Sequence, residues 1–283
     1  MLKKILVTGA NGQLGQSLKK VSVQYPNLEF VFVGRPELDI TNEEAVISFF
    51  NHQEYDAVVN CAAYTAVDLA ESDVDNARLV NAIATKYLAE ATAKQNIPFI
   101  HISTDYVFDG TVATPRLESD LVHPIGVYGQ TKLEGEALAL AINPKTIIIR
   151  TSWVYSEFGN NFVKTMLRLF NEKEEIGVIN DQIGSPTNAV DLANAIVHIL
   201  LSTNKVYGIF NYSNEGKCSW FEFASKIKDL TQSNIKINPI PTSAYPTAAK
   251  RPAYSLLDKS KIKTTYQLSI PQWDESLKVL ISN

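Results

Sequence analysis

The feature that most constrains this chain is Gly9-Ala10-Asn11-Gly12-Gln13-Leu14-Gly15. It sits between a short β-branched run, Lys4–Thr8, and a helix-compatible segment, Gly12 to Ser22. Glycines at such a junction allow a tight turn and let the backbone approach a pyrophosphate, whose charge faces the helix N-terminus. The spacing is G-x-x-G-x-x-G rather than G-x-G-x-x-G. A glycine triplet alone also fits a plain strand–helix turn. Its place after a strand near the N-terminus favours dinucleotide binding.

The downstream pattern supports this expectation. Strands are expected at Phe30–Val33, Ala57–Cys61, Phe99–Ser103 and Thr146–Arg150, and helices at Asn42–Phe50, Asp75–Lys94 and Tyr128–Ile142. The last of these carries Leu133, Ala137 and Leu140 on one face. Short apolar strands alternating with helices predict βαβ units. The fold class is therefore α/β, a doubly wound parallel (Rossmann) sheet with a smaller α/β substrate-binding domain. Residues 1–152 form the expected dinucleotide-binding domain, rejoined by about 187–210, and residues 153–283 are mainly substrate-binding. In the second part, helices are expected at Asn161–Asn171, Asp191–Leu201 and Trp220–Leu230, a strand at Tyr207–Tyr212, and an extended Pro-rich loop at Asn238–Arg251.

Composition narrows the class further. The net charge is −4, with no basic stripe, which disfavours nucleic acid as a partner. No apolar run reaches the roughly 18–20 residues of a membrane span. Met1–Thr8 lacks a signal-peptide pattern and reads as a first strand. Two cysteines make no disulfide framework, so a reducing cytoplasmic setting fits, with Cys61 expected as a small core residue. The four histidines show no metal-ligand spacing, and no metal is expected.

The second strand ends Val33-Gly34-Arg35, without the acid that usually accepts from an NAD ribose. Arg35 suits a 2′-phosphate, so NADPH is favoured with NADH possible, although a solvated surface Arg would look the same. Asp39 and Ile40 are expected to border the adenine, and Ala62, Ala63 and Tyr64 to lie along the ribose and pyrophosphate. Tyr128 and Lys132 share a helical face at i, i+4. A nearby ammonium is expected to lower the Tyr128 pKa from about 10 and suit it to proton transfer. Ser103-Thr104-Asp105 ends a strand on the edge where ligands bind.

Together with Ser103-Thr104-Asp105-Tyr106-Val107-Phe108 and Tyr128-x-x-x-Lys132, the glycine motif resembles the extended short-chain dehydrogenase/reductases. Within them, the segments Arg150-Thr-Ser-Trp153-Val-Tyr155, Asn180-Asp181-Gln182-x-Gly184-Ser-Pro186-Thr187 and Tyr245-Pro246…Arg251-Pro252 resemble the reductases of dTDP-linked 4-ketosugars. The resemblance implies catalytic Thr104, Tyr128 and Lys132. Lys132 and Tyr128 would also hold the cofactor, and Thr104, Asp105, Tyr128, Trp153, Asn161 and Arg251 would hold the substrate, Arg251 at its diphosphate. It implies C4-ketone reduction of dTDP-4-dehydro-β-L-rhamnose for cell-surface polysaccharide precursors. Related dehydratases carry Thr-Asp-Glu where this chain has Thr104-Asp105-Tyr106, which favours plain reduction. Acidic residues that hold a metal-bridged dimer in some relatives align with Ser17 and Val190, so monomer and homodimer both stay open. A non-catalytic NADP-binding regulatory subunit, or a reductase or epimerase of another nucleotide sugar, are the alternatives.

Overall fold

The computed structural model describes residues 3–282; Met1, Leu2 and Asn283, at the outer ends of the two expected domains, lie outside the described residues. Six parallel strands form the main sheet: β1 (Lys3–Thr8), β2 (Leu28–Val33), β3 (Ala57–Asn60), β4 (Phe99–Thr104), β5 (Thr146–Thr151) and β6 (Gly208–Asn211). Their order is β6-β5-β4-β3-β1-β2. The central strands are buried on both faces, as near-continuous apolar runs require. Strand order reverses between β1 and β3, which opens a crevice at their carboxyl ends.

One apolar layer packs Leu14 and Leu18 of the first helix (Gln13–Ser22) against Leu192 and Ile196 of the helix Ala189–Leu201. The opposite layer packs Val46, Leu88 and Ala139 over the other face of the sheet. A separate core of Tyr155, Val163, Met166, Phe223 and Leu277 stands beside the sheet. It is built from the helices Phe162–Glu172 and Trp220–Thr231 and from three two-stranded ribbons.

Several expectations need correction. The start of the expected loop, residues 238–240, instead completes the strand Lys236–Ile240 paired with Glu175–Ile179; an edge strand tolerates Pro239 because its missing N–H deprives no neighbour. The expected Asp75–Lys94 helix begins at Val74 and passes through a π turn at Leu79–Ile83. There Asn81 accepts from the Tyr64 N–H at 2.8 Å and donates to Thr131 Oγ1 at 3.1 Å. The helices Ser260–Tyr266 and Trp273–Ser282 were not expected. Cys61 is half-buried, packing against the core on one side and lining the cleft on the other.

The helix Val127–Ile142 departs most from its apolar pattern. Ala137 is exposed, while Thr131, Lys132, Gly135, Glu136 and Ala139 face inward. A Cβ at Gly135 would collide with the Asn81 carbonyl, so this close packing needs glycine. Glu136 and Arg150, each 2% exposed, form a bidentate pair at 2.6–3.2 Å. Removing one partner leaves a buried charge unpaired. Glu136→Ala should therefore destabilise the protein by about 3–5 kcal/mol, measured as a lower urea midpoint at unchanged slope. The double change Glu136→Leu with Arg150→Met should cost much less.

Candidate active site

The chain leaves β1 at Thr8 and turns at Gly9, whose φ of +70° is the left-handed region glycine tolerates. A Cβ there would lie 2.5 Å from the Ala62 nitrogen, and one at Gly15 would strike the Gly9 carbonyl. Strand, loop and helix thus meet closer than side chains permit. Gly12 is the N-cap of the first helix and supplies no side-chain cap, which leaves the first-turn N–H groups facing outward. This is the fit expected for a pyrophosphate.

Beside this turn lies a pocket of about 320 Å³ lined by Gly9, Gly12, Arg35, Asp39, Ile40, Ala62, Ala63 and Tyr64. The Arg35 side chain is 82% exposed and anchored by Asp39 at 3.2 Å, a pose that leaves its guanidinium open to an anion. Hydrogen bonds from Thr41 hold the Asp39 carboxyl below its usual range, with Arg35 adding to this. Asn11 lies exposed in the turn and Gly15 is buried beneath it.

Through Gly12 and Ala63 the pocket opens into a cleft of about 600 Å³. Gln13, Leu14, Thr104, Asp105, Tyr128, Lys132, Trp153 and Asn161 all line it. Ser103 lines it too, and its buried Oγ has no hydrogen-bond partner among the described residues, a polar atom facing space a ligand would fill. Thr104 donates to Asp105 Oδ1 at 3.0 Å and accepts from the Tyr106 N–H. Tyr106 packs edge-on against Tyr128.

The electrostatics differ from the expectation. Burial pushes the Tyr128 phenol up to about 12, opposed by the Thr104 hydroxyl; Lys132 does not draw it down. Lys132 is itself pulled to about 8 by burial. Its Nζ is buried, 2.7 Å from the Ile102 carbonyl and 3.1 Å from His101 Nε2. Burial raises Asp105 to about 7, against hydrogen bonds from Ser255 and Thr104.

Two predicted substrate residues are occupied within the protein. Asn161 caps its helix through Oδ1 and donates from Nδ2 to Gln13 Oε1 and Ser156 O. Arg251 forms a fork with Asp68 at 2.6 and 3.1 Å. It stands at the rim of a third pocket of about 430 Å³, lined by Phe162, Met166, Ile176, Val178 and Trp220. Sequence reasoning missed this pocket, because its walls come from separate elements of ordinary core composition. Trp153, at φ +47°, stacks on Trp220 with centroids 3.6 Å apart and separates this pocket from the main cleft. Among the described residues no cluster of three His, Cys, Asp or Glu side chains could hold a metal, and no helix is long and apolar enough to cross a membrane.

A switch-point dinucleotide crevice beside a Thr–Tyr–Lys set defines an oxidoreductase of the extended short-chain dehydrogenase/reductase type. Comparison with known proteins narrows this. The family model described as the RmlD substrate binding domain matches residues 3–283. A dTDP-4-dehydrorhamnose reductase of Aggregatibacter actinomycetemcomitans is 43% identical, covering 98% of each chain. The crystal structure of one from Clostridium acetobutylicum has 44% identity and a TM-score of 0.94, covering 99% of this chain and 98% of the other. One from Bacillus anthracis, solved in complex with NADP, has 38% identity and a TM-score of 0.96, covering 100% and 99%. The chain belongs to the dTDP-4-dehydrorhamnose reductase family.

The shifted groups predict how stability varies with pH. Asp105 holds its proton in the folded state up to about 7, whereas an unfolded Asp loses it near 3.9. The native state binds more protons in that window, so this group makes stability fall as pH rises from about 4 to about 7. Lys132 acts oppositely at higher pH, with stability rising from about 8 to about 10. Thermal melts of Asp105→Asn should lack the first decline, and those of Lys132→Met should lack the second rise.

Proposed function

We propose that this chain reduces the C4 ketone of dTDP-4-dehydro-β-L-rhamnose to dTDP-L-rhamnose, using NADPH, as a cytoplasmic step toward cell-surface polysaccharide. The observation that carries this is the convergence of Thr104, Tyr128 and Lys132 on one cleft wall, beside a pocket built for a dinucleotide. The names of the relatives supply the sugar nucleotide, and the NADP bound to the Bacillus anthracis relative supports the cofactor.

Gly9, Gly12 and the first helix would hold the pyrophosphate, Ala62–Tyr64 the adjoining ribose, and Arg35 the 2′-phosphate. When bound, NADPH supplies the hydride that becomes the C4 hydrogen. Thr104 Oγ1 and Tyr128 Oη bind the ketone oxygen. A phenol raised to about 12 still carries its proton at neutral pH. It is poised to donate, and the far more basic alkoxide takes that proton from Oη. Lys132, buried one turn along, then offsets the tyrosinate charge.

Residues 153–283 supply most of the substrate side. Trp153 covers the sugar, and the apolar pocket beyond Trp220 takes the base. Arg251 at its rim meets the diphosphate in competition with Asp68.

NADPH oxidation followed at 340 nm should require the dTDP-linked ketosugar and fail with a UDP-linked one. Tyr128→Phe should lower kcat by about 10²–10⁴-fold while NADPH affinity stays unchanged; near-native turnover would rule the role out. Arg35→Ala should weaken NADPH binding about tenfold and leave NADH binding nearly unaltered, measured by titration calorimetry.

A further inference from the structure

Behind the cleft a row of polar side chains runs through the main sheet: Thr8 on β1, Asn60 on β3, His101 on β4 and Lys132. Each is at most 1% exposed. Thr8 Oγ1 donates to Asn60 Oδ1 at 2.7 Å, and the Ala62 N–H donates to the same oxygen at 3.1 Å. The backbone donor fixes the amide, because a flipped Asn60 would set its NH₂ against the Ala62 N–H. Asn60 Nδ2 must then donate to His101 Nδ1, 3.0 Å away. A neutral imidazole accepting at Nδ1 carries its proton on Nε2. That proton points at Lys132 Nζ, 3.1 Å away. An ammonium has no lone pair to receive it, whereas an amine does, and an amine can still donate to the Ile102 carbonyl at 2.7 Å.

We propose that Asn60 and His101 are positioning residues that present an N–H to Lys132, favour its amine form, and so couple its proton to the loop at Ala62. This deepens the reductase reading and rests on it for its functional meaning, since Lys132 serves Tyr128 there. Burial and the Lys132 charge keep the His101 imidazole well below its usual range, consistent with a neutral ring. The other ionisable groups facing Lys132 are Glu136, one turn along and paired with Arg150 of β5, and Tyr128, one turn back with Asp105 beyond it. Cys61, after β3, lines the same cleft. Glu136 favours the ammonium, so the row of side chains and Glu136 pull in opposite directions.

The test is NMR of the full chain without cofactor, with ¹⁵N-histidine and ¹³C-lysine labels. His101 is expected as the neutral ring protonated on Nε2, with Lys132 titrating near 8. Asn60→Asp reverses the row. A carboxylate at position 60 accepts from the Ala62 N–H and also from His101 Nδ1–H, leaving Nε2 as an acceptor for an ammonium. The Lys132 midpoint should then rise by about one pH unit or more, and the alkaline limb of kcat/KM should move up with it. A wild-type His101 protonated on Nδ1, or an unmoved Lys132 midpoint in folded Asn60→Asp, overturns the proposal. The wild-type tautomer needs no variant, so the test survives a variant that fails to fold. Reductase assays of the wild type separate the two readings. An active enzyme with the proton on Nδ1 overturns only this proposal. An inactive one with the proton on Nε2 and a shifted variant midpoint supports it and overturns the reductase reading.

Discussion

The inner face of the helix Val127–Ile142 sets the terms for the rest of the molecule. It carries Lys132 and Glu136 into the interior, where an unpaired charge costs several kcal/mol. Arg150 reaches from β5 to form a fork with Glu136, and its guanidinium also lies over the Phe108 ring. Lys132 has no carboxylate of its own, only a carbonyl and an imidazole. Its burial lowers its proton affinity rather than being neutralised by a partner. The helix is fixed by the ion pair, and the neighbouring lysine is left free to change charge. The buried ion pair and the buried lysine thus sit one turn apart on the same helix face without sharing a salt bridge.

The cofactor-side elements were legible in the sequence. β-branched runs, the glycine turn and the Asn42 cap are local signals, and each needs only its neighbours in the chain to form. Tyr128 and Lys132 were legible because i, i+4 spacing fixes their face. The state of the pair was not. The expectation of an ammonium lowering the phenol assumes solvent-like proximity, but desolvation dominates both groups once the helix closes on the Asn81 carbonyl. The partner that matters to Lys132 is His101, thirty-one residues earlier, and no periodicity announces a contact across strands.

The second lobe was harder to read for related reasons. Its sheets have two strands each, and four of those six strands are only two residues long, too short for a period-2 pattern to stand out. Pro239 argued for loop, yet at an edge it merely omits an unneeded donor. Asn161 lines the cleft and also ties the first helix to the second lobe through Gln13, which Ser156 also contacts. Gln13 and Asn161 both line the cleft. Their hydrogen bond holds the lobe that carries Trp153 in register with the helix N-terminus that would face a pyrophosphate.

Trp153 is held at a strained backbone conformation. A bulky residue with φ near +47° is strained by about 1–3 kcal/mol, and such strain persists only when its surroundings over-determine it. Trp220 stacks on one side of the indole. A Cβ at Gly184 would come within 2.8 Å of its ring, so the indole is confined there as well. The ring cannot relax without losing the stack or meeting backbone. It therefore stands as a rigid partition between the cleft that holds Tyr128 and the apolar pocket rimmed by Arg251. Under the proposed function, a sugar nucleotide spanning both would bend around that partition, with its flat apolar end on one side and its reacting carbon on the other. On that reading, rigidity at this point would confer selectivity, because a ligand lacking either end would gain from only one of the two compartments.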